Sequence, residues 1–254
     1  AMIEIKSRSE VESMRRASGV VAEILVELVE MVRPGLTTAA LDAAAEARIA
    51  RLGAKPAFKN YRVGDSIFPA VLCTSVNEEI VHGIPSGRTL AEGDIIGLDF
   101  GVIYEGYYAD SAVTVPVGRI DPRSERLIAT TRRCLDAAIE QLRPGRRIGD
   151  VGAVVQAIAE AEGYGVVRDF VGHGIGRALH EDPQVPNFGI AGRGRSLKPG
   201  MVLAVEPMIN EGTPAVRVLS DGWTAVTADG KRSAHFEHTV AITEDGPWVL
   251  TSAN

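Results

Sequence analysis

The chain has 254 residues, 45% hydrophobic and 24% charged, and its 27 basic and 33 acidic residues leave a formal charge of −6. This balance excludes a disordered chain and, for want of a basic surplus, a general nucleic-acid binder, while leaving room for local basic patches. The length allows one large domain or two small ones around a buried core.

The opening run AMIEIKSRSEVESMRR lacks the apolar stretch of a signal peptide, and Ala1 ahead of Met2 reads as a cloning remnant. Ser9 to Glu12 reads as a capping box that starts the first helix. The apolar run Val20 to Val32 is broken by Glu23, Glu27 and Glu30 at helical spacing, which makes it amphipathic and not a membrane span. Cys73 and Cys134 form neither a CxxC pair nor a disulfide framework. Together these predict a cytoplasmic protein with no membrane partner. The first helix stops at Arg33-Pro34-Gly35, and a second is predicted from Thr38 to Arg51. A strand follows in Leu90-Ala-Glu-Gly-Asp-Ile-Ile-Gly-Leu-Asp99, and another from Asp110 in Asp-Ser-Ala-Val-Thr-Val.

The order then recurs. A helix from Pro122 to Leu142 ends at Arg143-Pro144-Gly145, a helix from Ile148 to Glu162 comes next, and strands follow in Leu197 to Glu206 and from Glu237 in Glu-His-Thr-Val-Ala-Ile. The two RPG stops are 110 residues apart, and in each half the acid lies nine positions after the leucine and six after the glycine. Agreement of order and acid register outweighs chance similarity of short segments. The simplest architecture is a single domain over 1–254 made of two α+β halves, roughly 7–118 and 120–245, related by a pseudo-twofold axis and each contributing two acids.

Alternation along a strand puts Ile95, Gly97 and Asp99 on one face and Ile96, Leu98 and Phe100 on the other, and it groups Val202 and Ala204 with Glu206. Each acid therefore stands beside a small residue with room above it. A lone carboxylate in an apolar strand is costly to bury unless paired, protonated or bound to metal. Any one of these acids is most simply a salt-bridged or edge residue. Four converging in matched register would repel one another, and divalent cations resolve that conflict. His173 sits in Val-Gly-His-Gly-Ile-Gly, where glycines let the backbone approach a ligand, so a fifth ligand is its natural role. Alone it would more often be a structural hydrogen-bonder, and GHGIG lacks the spacing of a dinucleotide fingerprint. His82 lies at a Gly/Pro turn and His180 seven residues after His173; either alone could be a loop residue. His235 is expected to share a strand face with Glu237 and support the ligands, with His238 facing away.

The segments VNEEIVHGIP ending at Pro85, DFGVIYEGYYAD from Asp99, GHGIGRALHEDP ending at Pro183, AVEPM around Glu206 and HFEHT around Glu237 resemble the type I methionine aminopeptidases over nearly the whole chain. The resemblance implies the α+β pita-bread fold, with a curved antiparallel sheet inside and helices outside. It implies that Asp99, Asp110, His173, Glu206 and Glu237 bind two divalent ions, of cobalt, manganese, iron or zinc. His82 and His180 would contact the substrate around the scissile peptide, with Glu206 handling protons. Phe68, Cys73, Leu179 and Trp223 take the family positions that line the methionine pocket. An aromatic residue is common in the family where Leu179 stands, and Asn60 to Phe68 departs from the family's glycine-rich, tyrosine-containing stretch. The implied activity is co-translational removal of the initiator methionine ahead of a small second residue. The implied partners are nascent polypeptide N-termini and the ribosome, with no specific nucleic acid, acting as a monomer.

Three alternatives share parts of this pattern. Proline-selective aminopeptidase P and prolidase share the five-ligand framework but carry an added N-terminal domain, for which the early first helix leaves no space. A non-catalytic binding protein of this fold would lack metal ligands, and none is missing. Short linkers disfavour the helical insertion of a type II enzyme.

Overall fold

The computed structural model describes residues 2–253. Four helices carry the outer layer: α1 (Arg8–Met31), α2 (Thr38–Arg51), α3 (Pro122–Glu140) and α4 (Ile148–Ala161). The first is capped by Ser7, two residues ahead of the expected position. Ser7 Oγ accepts from Glu10 N at 3.2 Å while Ser7 N donates to the Glu10 carboxylate at 2.8 Å. Ser9 already lies inside the first turn, where its hydroxyl bonds only Ser7 Oγ among the described residues. Among the described residues no helix is long and apolar enough to cross a membrane.

Both RPG turns work alike. Gly35 and Gly145 adopt φ of +91° and +90°, a left-handed conformation that glycine takes without steric cost. The chain after each turn then ties to the segment leading into an acid-bearing strand. Leu90 N donates to Leu36 O and Leu197 N to Arg146 O, both at 2.8 Å, and the bridges Thr37–Thr89 and Arg147–Ser196 sit at corresponding places.

Strand Ile95–Tyr104 pairs antiparallel with Tyr107–Pro116, and its other edge takes Cys73–Val76. In the second half Val202–Val205 lies between Gly172–Gly174 and His238–Thr243, all antiparallel. In both halves the central strand enters the acid-bearing region between an earlier edge strand and a later one. Ile96, Leu98, Phe100 and Val102 bury against Ile24, Leu28 and Leu41 of α1 and α2. Leu203 and Val205 bury against Leu135, Val151 and Val155 of α3 and α4. Each sheet thus spends one face on its own helices, and period-two alternation turns the acids to the other face, toward the opposite half.

The two glutamates are not inside strands as read from sequence. Glu206 follows Val202–Val205 directly, and Met208–Asn210 after it belongs to a different sheet. Glu237 lies between Ser233–His235 and His238–Thr243, which also belong to different sheets. His235 and Glu237 therefore do not share one strand face. Each glutamate sits where the chain leaves one sheet for another, at Glu206-Pro207 and Phe236-Glu237, with Phe236 N donating to Pro207 O at 3.3 Å. Cys73 and Cys134 are both free and buried.

Candidate active site

A cavity of about 250 Å³ opens between the halves, and Asp99, Asp110, His173, Glu206 and Glu237 all line it together with His82 and His180. The set proposed from sequence is thus assembled from distant segments into one place. Oxygen and nitrogen atoms of Asp110, His173 and Glu237 lie within 4.8 Å of one another, as do those of Asp99, His235 and Glu237, so Glu237 is common to two overlapping clusters. Glu206 completes the ring: its Oε1 is 3.4 Å from His173 Nε2 and its Oε2 3.4 Å from His235 Nε2.

The backbone explains the placement. Gly172 and Gly174 flank His173 because a Cβ there would stand 2.3 Å from Ala204 O and 2.2 Å from Asp182 O. The glycines serve close packing of neighbouring strands, not the approach of a ligand as the sequence suggested. His173 pairs with Ala204, two residues from Glu206. Asp110 is held by Thr239, whose hydroxyl lies 2.7 Å from Asp110 O and 3.3 Å from Asp110 Oδ1.

Four carboxyl groups in one cavity, three of them buried and Glu206 nearly so, cannot all carry charge unaided. Burial pushes Asp99 up to about 7 despite the neighbouring His235. Burial, with the charges of Asp110, Glu206 and Asp99, pushes Glu237 well up. Burial also acts to raise Glu206, but the His173 and His235 rings override it and bring it down to about 2. His173 is disfavoured as a cation by burial, yet Asp110 and Glu206 push its pKa well above the ordinary value.

The donor atoms suit divalent cations. Among the described residues Asp99 Oδ1, Glu237 Oε1 and His235 Nε2 are buried without a hydrogen bond, an expensive state that a cation relieves. His173 Nδ1 lies 2.9 Å from Gly174 O. If that nitrogen holds the proton, Nε2 presents a lone pair to the carboxylates, the arrangement of a metal-ligating histidine. His235, expected from its sequence position only to support the ligands, reaches the cluster itself; its place two residues before Glu237 is the available signal. His238 turns away and bonds Thr251 at 2.7 Å.

One wall of the cavity is apolar. Phe68, Cys73, Leu179 and Trp223 line it, with Phe68 edge-on to Trp223 at 5.3 Å. Burial holds the Cys73 thiol well above its usual range, so it presents an uncharged wall. The volume is below the roughly 300–1,000 Å³ of sites for drug-sized ligands, which suits one side chain with adjoining backbone. His82 adopts φ of +62° and stands edge-on to Phe170 at 5.2 Å, and burial lowers its pKa to about 4. His180 stacks edge-on to His173 at 4.3 Å and its pKa is lowered by burial. Phe58, Tyr61, Val63, Asp169, Phe170 and Met208 also line the cavity and were not singled out from sequence. Of these only Tyr61 had a signal, as a hydroxyl in the stretch that departs from the family pattern.

The model of metallopeptidase family M24 matches residues 12–244. The chain is 50% identical to methionine aminopeptidase of Clostridium perfringens over 98% of its own length and 99% of the relative's. The crystal structure of methionine aminopeptidase from Thermotoga maritima superposes with a TM-score of 0.96 at 47% identity, covering 99% of this chain and 100% of that one. The prolidase of Pyrococcus horikoshii, at 22% identity and a TM-score of 0.79, shares the fold over 98% of this chain and 64% of its own.

Proposed function

Because the chain belongs to metallopeptidase family M24, and within it to the methionine aminopeptidases of the α+β pita-bread fold, we propose that it removes the initiator methionine from nascent chains, preferring a small second residue. The observation that carries this reading is the meeting, in one small cavity, of a buried carboxylate and histidine cluster with an apolar wall. Asp99, Asp110, His173, Glu206 and Glu237 would hold two divalent ions, of cobalt, manganese, iron or zinc, with His235 beside them. Such ions supply Lewis acidity and make water a competent nucleophile near neutral pH.

The chain's own groups do the rest. Phe68, Cys73, Leu179 and Trp223 accept an unbranched thioether and offer no partner to a charged side chain. His180 donates a hydrogen bond to the carbonyl oxygen as negative charge builds there. His82 orients the peptide beyond the cut, and Glu206 takes up and returns the proton. In this reading the enzyme works as a monomer in the cytoplasm, meeting N-termini as they leave the ribosome, and it uses no specific nucleic acid and no membrane.

The test is product analysis on a library of Met-initiated peptides, with defined metals added back to the metal-free enzyme. Met-Ala and Met-Gly are expected to be cleaved much faster than Met-Leu and Met-Arg. Faster release of residues ahead of proline, from Ala-Pro or Arg-Pro peptides, would reject methionine selectivity and favour an aminopeptidase P-like enzyme.

A further inference from the structure

A neutral imidazole donates from one nitrogen only, so the tautomer of His180 decides whether it has a proton to offer the substrate. His180 Nδ1 lies 2.6 Å from the Tyr61 hydroxyl, with the two rings edge to face and their centroids 5.4 Å apart. A phenol O–H is a strong donor and a bare imidazole nitrogen a strong acceptor, whereas a phenol oxygen accepts weakly. This difference favours the hydroxyl as the donor to Nδ1. That leaves the ring proton on Nε2, which lies on the far side of the ring from Tyr61 and has no partner among the described residues.

Tyr61 is itself held from several sides. Its N–H donates to Phe58 O, its carbonyl accepts from Phe68 N, and Asn60 N donates to Phe68 O, each at 2.9 Å. These bonds close the short hairpin of Arg62–Val63 and Ser66–Ile67. Val63 lines the cavity from this hairpin, and Phe68 at its base packs on Trp223. The stretch that departs from the family pattern thus crosses from His180 on one wall to Trp223 on the other.

We infer that Tyr61 is a positioning residue that fixes His180 in the Nε2–H tautomer and presents that proton to the substrate carbonyl. The inference rests on the reading of His180 given above. Tyr61→Phe removes the hydroxyl and keeps the ring. In 15N-labelled, metal-loaded wild-type enzyme, His180 Nδ1 is expected to resonate as a bare nitrogen and Nε2 as a protonated one. In the variant the two signals should move toward each other as the tautomers mix. We expect kcat to fall roughly ten- to a hundredfold, with KM within about twofold and metal content unchanged. Tyr61→Phe added to His180→Ala should cost nothing further. Wild-type kcat and tautomer signals in Tyr61→Phe, while His180→Ala loses activity, would overturn the inference and leave the reading of His180 intact. Wild-type kcat in His180→Ala would instead sink that reading and the inference with it. Should Tyr61→Phe misfold, the wild-type spectrum decides alone: a protonated Nδ1 overturns the inference.

Discussion

Replacing Glu237 by glutamine should move stability and metal binding in opposite directions. Glu237 is 1% exposed, belongs to both ligand clusters and has one oxygen without a hydrogen bond. The change keeps the shape and deletes one negative charge. Opposite unit charges about 4 Å apart at an effective dielectric near 20 attract by about 4 kcal/mol. Losing that attraction to a bound ion corresponds to roughly a thousandfold in affinity. Without metal the sign reverses: the burial of a charge and the repulsion from Asp110, Glu206 and Asp99, which together push the Glu237 pKa up, no longer act on a neutral amide, and that amide can donate to a carboxylate. A gain of about 1–2 kcal/mol follows, or roughly 2–8 °C in the melting midpoint. Metal titration by calorimetry, with melting curves of the chelated and loaded forms, reads both effects. Unchanged metal affinity, or a metal-free midpoint that drops, would refute the electrostatic account of the site.

His180→Ala is expected to lower kcat by about two to three orders of magnitude with little change in KM, read from steady-state kinetics on a Met-Ala peptide; an effect confined to KM would make His180 a ground-state binder. Rigorous chelation should abolish hydrolysis yet leave the far-ultraviolet circular dichroism intact, because each half buries its own core between helices and sheet. Ser7→Ala should cost about 1 kcal/mol in urea unfolding and Ser9→Ala only a few tenths, since Ser7 alone caps α1; the reverse order would contradict the observed cap.

The sequence alone determined what is local or periodic. Both RPG turns and the bounds of α2 follow from punctuation within a few residues. The alternation that turns Asp99 away from Leu98 and Phe100 is a property of one strand. The order and spacing of four acids, two in each half, made the chemistry legible before any contact was known, because a carboxylate set in an apolar strand has few uses. Family pattern added the apolar pocket residues, all four of which line the cavity.

Tertiary structure decided everything that depends on segments meeting. Glu206 and Glu237 stand where the chain switches sheets, which hydrophobic periodicity cannot register, since it reports faces and not which sheet a strand joins. The two glycines around His173 answer to Ala204 and Asp182 across strands, so their reason was invisible beside the histidine. His235 enters the cluster because Asp99 arrives opposite it, at 4.0 Å from more than a hundred positions away. Tyr61 and His180 are 119 residues apart. A hydrogen bond between them leaves no periodic trace in either segment; only the folding of both halves around one cavity brings hydroxyl and imidazole within 2.6 Å.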